Sequence, residues 1–427
     1  MRNYKHRILD DLLAKKLQAK GAVVIEGPKR CGKTTTAEEI ANSKIMLART
    51  DVKAEFKNLL EIDIDIALSG ETPMLIDEWQ TVPKLWDAVR YTVDRRRKMG
   101  QFILTGSAVP DKEAEKEIEH SGTGRLAWLT MRPMTLFESG ESSGKISLTD
   151  LFTAPTNIID KNELNLQDIA FLICRGGWPM SVGLPEEAAL EQAFDYYDAV
   201  TKEDITRVDG VKRTSERAQR LMRAYARHQG TQVSISTIKD DLKNNDSFSI
   251  NDDTIRSYID ALRKIFVIED MPAWNPNLRS KTAIRSANTR YFVDPSIASA
   301  ALGLGPTDLI NDLNTMDFLF ETMCVRDLRV YAESLNGKVY HYRDKNGLEC
   351  DAVIHLRNGQ YGLIEIKLGG ESLINDGAKT LKQLASNIDT TRMKEPAFKM
   401  ILTATGEYAY RRPDDGIYVV PIGCLRN

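Results

Sequence analysis

The chain has 427 residues, which is more than one hydrophobic core usually organises, so we expect about three or four domains. Hydrophobic residues make up 42% of the sequence and charged residues 28%, the balance of an ordinary globular protein. The formal net charge of -3 excludes a chain that is basic throughout for binding nucleic acid, although it is compatible with a local basic surface.

The five cysteines are far apart and odd in number, at positions 31, 174, 324, 350 and 424. No Cys-x-x-Cys pair occurs, so we expect neither a zinc ribbon nor a disulfide framework, and a reducing compartment fits. Residues 1–20 lack the apolar core of a signal peptide, and no run approaches the roughly 20 apolar residues of a membrane-spanning helix. We therefore expect a soluble, cytoplasmic protein with no membrane partner.

The first third of the chain alternates between apolar strand patterns and helical patterns. Residues 5–18 have the spacing of an amphipathic helix, and residues 22–25 form a short apolar strand. A helix follows from about Lys33, and two further apolar strands lie at residues 74–76 and 102–104. This alternation predicts a parallel sheet in a doubly wound α/β domain.

The remainder of the chain divides by pattern into three regions. One region is mostly helical without strand alternation, the next has helices followed by the strand-like residues 265–268, and the last is α+β. The last region contains the turn signals Asn346-Gly347 and Asn358-Gly359, which predict two hairpins. The predicted domains are an α/β core at 1–139, a helical lid at 140–210, a winged helix at 211–275 and an α+β domain at 276–427.

Residues 27–34 read GPKRCGKT, which matches the phosphate-loop pattern G-x-x-x-x-G-K-[ST] in full. Glycines let the backbone wrap closely round a phosphate, and the loop amides and the start of the next helix then face the anion. Lys33 supplies a positive charge to the β- and γ-phosphates, and the Thr34 hydroxyl suits Mg²⁺. The residues predicted to hold ATP with its Mg²⁺ are Gly27, Pro28, Lys29, Arg30, Cys31, Gly32, Lys33, Thr34 and Thr35.

An acidic pair, Asp77 and Glu78, ends the apolar strand at residues 74–76. A carboxylate at the C-terminal end of a parallel strand can hold Mg²⁺, so Asp77 is the predicted metal ligand. Glu78 can take a proton from the attacking water as general base. The alternative interpretation of the pair is an ordinary solvated turn.

Polar residues beyond the third strand complete the predicted site. The Ser107 hydroxyl at its end can sense the γ-phosphate or orient the water, although serine is also common in turns. Arg125 and Arg132 are candidates for an arginine that reaches the γ-phosphate of a neighbouring subunit. For both arginines, a plain surface position is the alternative.

Residues 27–35, 75–78, 104–107 and 124–125 together resemble bacterial and archaeal AAA+ ATPases whose C-terminal half is a domain of unknown function. These ATPases border on the STAND type. The resemblance implies ATP and Mg²⁺ as ligands, a homo-oligomer, Ser107 as sensor 1 and Arg125 as a catalytic finger.

The same resemblance extends to the predicted lid. The run Gly177-Trp178-Pro179 is similar to the turn by which the lid of such proteins meets the nucleotide. Arg175, which precedes it, would then be the sensor 2 arginine that contacts the nucleotide.

A helix-turn-helix is predicted from residues 234–242 and from a second helix capped by Asp252 or Asp253. Residues 211–290 contain 15 Lys and Arg and 9 Asp and Glu, a difference of +6 in a chain of net charge -3. This contrast indicates a surface for nucleic acid such as DNA, with Arg256 and Ser257 as the outward-facing candidates for base contact. Winged helices also bind proteins, so a protein partner remains open.

The last region carries Asp351 in one strand-like run and Glu365 and Lys367 in the next, the latter two on one face because strand side chains alternate. Two carboxylates and a lysine on one sheet face can bind a divalent metal and activate water against a phosphodiester. The pattern resembles the PD-(D/E)xK nuclease-like, restriction-endonuclease-like fold, in which Glu321 would add a ligand and Gln383 would lie on the following helix. Charges on an exposed strand face are the alternative.

Two functions from different classes follow. In the first, Mg²⁺-dependent ATP hydrolysis drives a motor or switch on nucleic acid, in DNA processing, repair or defence. In the second, the protein is a STAND-like signalling ATPase that recruits a protein partner through a catalytically silent nuclease-like domain.

Overall fold

The computed structural model describes residues 4–109, 116, 118, 120–153, 158–246, 250–279 and 284–427. The chain divides into two compact units. Unit 1 consists of Met1–Pro133, Lys202–Ser215 and Ile259–Val267, and unit 2 consists of Met134–Thr201, Glu216–Tyr258 and Ile268–Asn427.

The described helices, in chain order, are α1 (Ile8–Ala19), α2 (Lys33–Glu38), α3 (Thr50–Ile62), α4 (Ile64–Ala67), α5 (Leu85–Arg96), α6 (Leu136–Ser139), α7 (Leu148–Thr153), α8 (Leu166–Arg175), α9 (Glu186–Ala199), α10 (Ile205–Arg207), α11 (Ser215–Ala226), α12 (Ile235–Asp246), α13 (Asp252–Lys264), α14 (Pro295–Leu302), α15 (Pro306–Asn311), α16 (Leu313–Ser334) and α17 (Glu371–Asn387). A π-helical turn at Val200–Asp204 precedes α10. None of these helices combines the length and the apolar character that crossing a bilayer requires.

The described strands are β1 (Ala22–Glu26), β2 (Ser43–Met46), β3 (Met74–Asp77), β4 (Phe102–Gly106), β5 (Leu126–Thr130), β6 (Ile146–Ser147), β7 (Ile159–Lys161), β8 (Gly337–Arg343), β9 (Glu349–Leu356), β10 (Tyr361–Lys367), β11 (Phe398–Thr403), β12 (Tyr408–Arg411), β13 (Tyr418–Pro421) and β14 (Leu425–Arg426). Short 3-10 helices lie at Trp79–Thr81 and Ile422–Cys424.

Unit 1 is built on a five-stranded sheet in the order β2-β3-β4-β1-β5, and every strand pair is parallel. The strands read as nearly continuous apolar runs because both faces of such a sheet are covered. Val24 packs into the core on one face, whereas its neighbours Val23 and Ile25 pack into the core on the other. The predicted parallel-sheet α/β domain is confirmed.

This topology brings three strand ends to one edge of the sheet. β1 lies next to β4, and β4 lies next to β3, all running in the same direction. Glu26 pairs with Gly106, and Asp77 pairs with Thr105, so the carboxyl ends of the three strands are level. The loops that follow these strands therefore form one site.

Unit 2 contains a seven-stranded mixed sheet in the order β7-β12-β13-β11-β10-β9-β8. The β8–β9 and β9–β10 pairs are antiparallel hairpins, as the two Asn-Gly turns predict. Gly347 and Gly359 have φ angles of 86° and 81°, values that favour glycine. The hairpins place residues 349–356 beside residues 361–367.

Residues 140–210 are predicted to be mostly helical without strand alternation, but they also contain two short strands. β6 pairs with β14, and β7 pairs with β12 at the edge of the large sheet. Strands of two and three residues are too short to show a period-2 pattern, and both partners lie more than 200 positions away, so local sequence carries little signal for them.

The helix-turn-helix region also differs from expectation in two details. The predicted strand at residues 265–268 is absent, and only Ile268 forms a bridge, with Phe292. The side chain of Asn251, not Asp252 or Asp253, caps α13, by accepting a hydrogen bond from the Thr254 backbone amide at 2.7 Å. Asp252 instead binds Lys239 at 2.7 Å.

Candidate functional site

The phosphate loop joins β1 to α2, and its geometry requires glycine at both glycine positions of the motif. Gly27 has φ 151°, and a Cβ atom there would lie 2.1 Å from the Met131 carbonyl oxygen. Gly32 has φ 106° and immediately precedes α2. Residues that carry a side chain rarely adopt either φ value, so the backbone path of the loop depends on these two glycines.

Lys33 lies inside the loop rather than in solvent. Its side chain is buried, and its Nζ donates hydrogen bonds of 2.8 Å to the carbonyl oxygens of Gly27 and Pro28. Charge-assisted hydrogen bonds to phosphate oxygens are stronger than those to neutral carbonyls. A bound phosphate would therefore replace the two carbonyl oxygens as the acceptor for the Lys33 ammonium group. The lysine is thus held beside the position that the motif assigns to phosphate.

Asp77 joins the loop to two strand ends. Its Oδ1 accepts hydrogen bonds from the Thr34 hydroxyl at 2.7 Å and from the Thr105 hydroxyl at 2.6 Å, and the residue is buried. A hydroxyl and a carboxylate oxygen in contact are hard ligands of the kind that Mg²⁺ prefers, so the donor set fits this ion. The sequence prediction missed Thr105, although its place at the end of β4 was a usable signal.

Glu78 and Ser107, predicted from separate strands, are in direct contact. The Ser107 hydroxyl donates to Glu78 Oε2 at 2.9 Å, and the Gln80 side-chain amide donates to the same oxygen. Glu78 has φ 57°, which is uncommon for a residue with a side chain and recurs at active sites. The carboxylate is therefore fixed at the strand edge, next to Asp77.

The other predicted loop residues serve different purposes. Lys29 forms an ion pair with Asp204 at 2.5 Å, and Cys31 is buried with its Sγ donating to the Met131 carbonyl at 3.4 Å. Arg30, at φ 64°, and Thr35 are exposed. Sequence reasoning did not identify Asp204, because it lies 175 positions from Lys29 and no local motif marks it.

Arg125 lies at the opposite edge of the sheet from the phosphate loop. Its carbonyl oxygen accepts from the backbone amide of Gly21, just before β1, and its Nε donates to Asp94 at 2.8 Å. The five residues of β1 span roughly 13 Å between that edge and the loop. Arg125 therefore cannot serve the phosphates of its own chain, and its role as a finger toward a neighbouring subunit stays a prediction.

Arg175 belongs to unit 2, where it is buried. Its Nη1 forms an ion pair with Glu141, and its Nε donates to the Gly176 carbonyl at 3.0 Å. The adjacent Gly177 amide donates to Asp294, 3.0 Å away. A nucleotide contact would require the ion pair to open, so this arrangement gives the predicted sensor role no support.

The C-terminal carboxylates and the lysine converge as their spacing predicts. Lys367 Nζ lies 3.0 Å from Asp351 Oδ2 and 2.8 Å from Glu365 Oε2. The Ile366 amide also donates to Asp351 Oδ2, at 2.7 Å. Both carboxylates therefore share one ammonium group on one face of the β9–β10 hairpin.

Burial changes the protonation of this cluster. Burial, together with the nearby Asp351 charge, raises the pKa of Glu365 to about 8, and its Oε1 has no partner among the described residues. Burial alone would lower the pKa of Lys367, but the two carboxylates outweigh it and raise the pKa. The cluster thus favours a charged lysine and a protonated Glu365 at neutral pH.

Two further residues belong to the nuclease-like prediction, Glu321 and Gln383. Glu321 on α16 is half-buried and accepts a hydrogen bond from the Tyr291 hydroxyl; desolvation and then the Asp351 charge raise its pKa. Gln383 lies on α17 as predicted but is exposed. Within the described ranges, no group of three or more His, Cys, Asp or Glu side chains is arranged to hold a metal ion. A second metal site at Asp351 and Glu365 therefore stays a prediction.

Three protein families match consecutive parts of the chain. Residues 19–139 match the family described as AAA domain, residues 166–308 match a domain of unknown function (DUF8612), and residues 316–425 match another (DUF4143). The phosphate loop therefore lies within the part of the chain that matches the AAA domain family. Neither of the other descriptions names a winged helix or a nuclease.

Two related proteins and one solved structure are similar to this chain, and their names describe no activity for unit 2. The chain is 23% identical over 357 residues to Uncharacterized protein Mb2031c of Mycobacterium bovis and to Uncharacterized protein Rv2008c of Mycobacterium tuberculosis. Each match covers 83% of this chain and 72% of the relative. The Walker-type ATPase PABY2304 of Pyrococcus abyssi is 14% identical, with a TM-score of 0.36, over 68% of this chain and 94% of that one. That likeness is too low to define the fold.

Substituting Gly27→Ala should abolish nucleotide binding. The added Cβ would lie 2.1 Å from the Met131 carbonyl oxygen, so the loop must move from the path that encloses a phosphate. Calorimetric titration with ATP measures the loss. Gly124→Ala is the matched control, because Gly124 also has a positive φ, 85°, but no atom within 4 Å of its would-be Cβ. Equal ATP affinity in the two variants would contradict the role assigned to the collision.

Proposed function

We propose that this protein binds ATP with Mg²⁺ at residues 27–35 and hydrolyses it. One observation carries the proposal: the Lys33 loop, the Thr34–Asp77–Thr105 contacts and the Glu78–Ser107 contact all lie at one edge of the unit 1 sheet. These are the parts that phosphoryl transfer needs, namely a phosphate cradle, a metal-binding pair and a base beside them.

Each side chain has a distinct role in the proposed reaction. Lys33 binds the β- and γ-phosphate oxygens, and Thr34 and Asp77 hold the Mg²⁺, which when bound neutralises phosphate charge. Water attacks the γ-phosphorus, the bond to the β-phosphate oxygen breaks, and Glu78 accepts the proton that the water loses. Ser107 and Gln80 orient that carboxylate, and the products are ADP and inorganic phosphate.

Two substitutions separate binding from chemistry. Glu78→Gln should keep ATP affinity and lower kcat by about 10²- to 10⁴-fold, because the amide cannot take the proton. Lys33→Ala should lose ATP affinity while the fold survives, because the ammonium contacts loop carbonyls and the ligand rather than the apolar core. Phosphate release and calorimetry are the measurements, and Lys57→Ala, at an exposed position of α3, is the control. A Glu78→Gln variant with wild-type turnover would reject Glu78 as the base.

We further propose that hydrolysis drives a motor or switch associated with DNA. Support comes from the +6 charge of residues 211–290 and from the helix pair α12 and α13 within that region. Residues 268–271 pair in antiparallel fashion with residues 289–292, the arrangement of a wing beside such helices. Arg256 on α13 is exposed, as a phosphate or base contact requires.

The alternative proposal is a signalling ATPase that recruits a protein partner. The closed state of the Asp351, Glu365 and Lys367 cluster supports it, because the lysine pairs with both carboxylates. In this proposal ATP changes the affinity for the partner, and the nuclease-like residues are structural.

Oligomeric state and DNA response distinguish the two proposals. A motor should form an ATP-dependent ring of Glu78→Gln subunits in sedimentation experiments, and DNA should raise wild-type turnover at low salt. A switch should remain monomeric with DNA-independent turnover, and should retain protein partners only in its ATP-bound Glu78→Gln form. A monomer that neither binds DNA nor changes partners with nucleotide would contradict both.

A second candidate activity, metal-dependent cleavage of nucleic acid, is favoured by the contacts of Asp351, Glu365 and Lys367 on one sheet face. If it exists, Asp351→Ala should abolish cleavage with Mg²⁺ or Mn²⁺, because the remaining carboxylate is buried and favours its protonated form. Gel-based cleavage assays test this, with the exposed Asp376→Ala on α17 as the control. Cleavage that persists in Asp351→Ala would assign the activity to another site or to a contaminant.

A further inference from the structure

The sheet edge of unit 1 that carries Lys33, Asp77, Glu78 and Ser107 is here called the catalytic edge. A segment from a distant part of the chain faces it across a cavity. Residues 202–215, here called the returning segment, belong to the same compact unit as the phosphate loop. A cavity of about 300 Å³ lies between this segment and the catalytic edge. Its lining includes Lys29, Glu78, Ser107, Asp204, Arg207 and Ile265.

The returning segment is held in place by ion pairs and hydrogen bonds within unit 1. Arg213 is buried and binds Asp209 through two hydrogen bonds of 2.5 and 3.0 Å. Lys264 lies 3.6 Å from the same Asp209, and its carbonyl accepts from the Val109 amide at 2.9 Å. Val109 is two residues beyond Ser107, so the segment and the end of β4 share one support.

Two cationic side chains line the cavity, and each forms an ion pair that an incoming anion can replace. Lys29 pairs with Asp204 of the returning segment, and Arg207 pairs with Glu203 at 3.4 Å on its own helical turn. The Arg207 side chain is 74% exposed and the Glu203 side chain 61%. The Arg207–Glu203 pair is exposed and therefore weak, and the Lys29–Asp204 pair is exposed on the lysine side, so either cation can exchange its carboxylate for a stronger anion.

A terminal phosphate is the anion that fits this position. Glu78 and Ser107 mark the side of the loop where the γ-phosphate reacts, and Arg207 lines the same cavity. Arginine binds phosphate oxygens through two parallel N–H donors, a geometry that lysine lacks. ADP has no oxygens at this position, so contact with Arg207 would report the third phosphate.

We propose that Arg207 contacts the γ-phosphate of the bound nucleotide in its own chain, and that the Lys29–Asp204 pair opens when that phosphate arrives. Arg207 thereby distinguishes ATP from ADP and stabilises the charge of the transferring phosphoryl group. The inference rests on the proposed ATP hydrolysis.

The test compares full-length wild type, Arg207→Ala, Arg207→Lys and Lys212→Ala in calorimetry with ATP and with ADP and in steady-state turnover. Lys212 is the matched control, an exposed cation of the same segment that does not line the cavity. Arg207→Ala should lower kcat about 100-fold and weaken ATP without weakening ADP. Arg207→Lys should recover part of the loss, and Lys212→Ala should match wild type. Asp204→Asn should strengthen ATP binding, because it removes the carboxylate that competes for Lys29.

Other results would overturn the inference. If Arg207→Ala keeps wild-type kcat and the wild-type ratio of ATP to ADP affinity, Arg207 does not meet the γ-phosphate. Equal weakening of ATP and ADP binding, or an equal loss in Lys212→Ala, would assign the effect to general charge or folding. A wild-type protein that binds no ATP would instead remove the proposed function itself, an outcome that the wild-type titration identifies before any variant is measured.

Discussion

A single carboxylate oxygen ties the catalytic edge together. Asp77 Oδ1 accepts from the Thr34 hydroxyl after β1 and from the Thr105 hydroxyl on β4, while Asp77 itself ends β3. Three neighbouring parallel strands thus meet at one buried acceptor, and the phosphate loop is fixed relative to the strand that carries Glu78. A buried carboxylate is costly unless it is hydrogen-bonded, so the two hydroxyls stabilise the charge that the metal ion needs.

Much of this edge could be predicted from the sequence, because its residues belong to short local patterns. The loop motif, the acidic pair at a strand end and the polar residue after the next strand each lie within a few positions of an apolar run. The rule that carboxyl ends of parallel strands share an edge then brings Lys33, Asp77 and Ser107 together. The carboxylate cluster of unit 2 could also be predicted from local patterns, because the two Asn-Gly turns predict that the strands carrying Asp351 and Glu365 are neighbours.

Other features could not be found this way, because they depend on pairings between distant segments. Asp204 and Arg207 lie in a helical stretch whose pattern says nothing about the phosphate loop, and β7 becomes a strand only through its pairing with β12. The resemblance implies a nucleotide contact at Arg175, whereas the structure buries this side chain in an ion pair with Glu141. Burial of the Glu365 carboxyl likewise could not be predicted from the strand sequence, because it depends on the elements that pack on β10.

The interleaving of the chain has a practical consequence for anyone who dissects the protein. A fragment ending at residue 139 would retain every residue of the loop motif and of the acidic pair, yet it would lose Lys202–Ser215 and Ile259–Val267, which complete unit 1. Such a fragment would leave Lys29 without Asp204 and the Val109 amide without the Lys264 carbonyl. A fragment that retains all of unit 1 therefore has to extend through residue 267, well beyond residue 139.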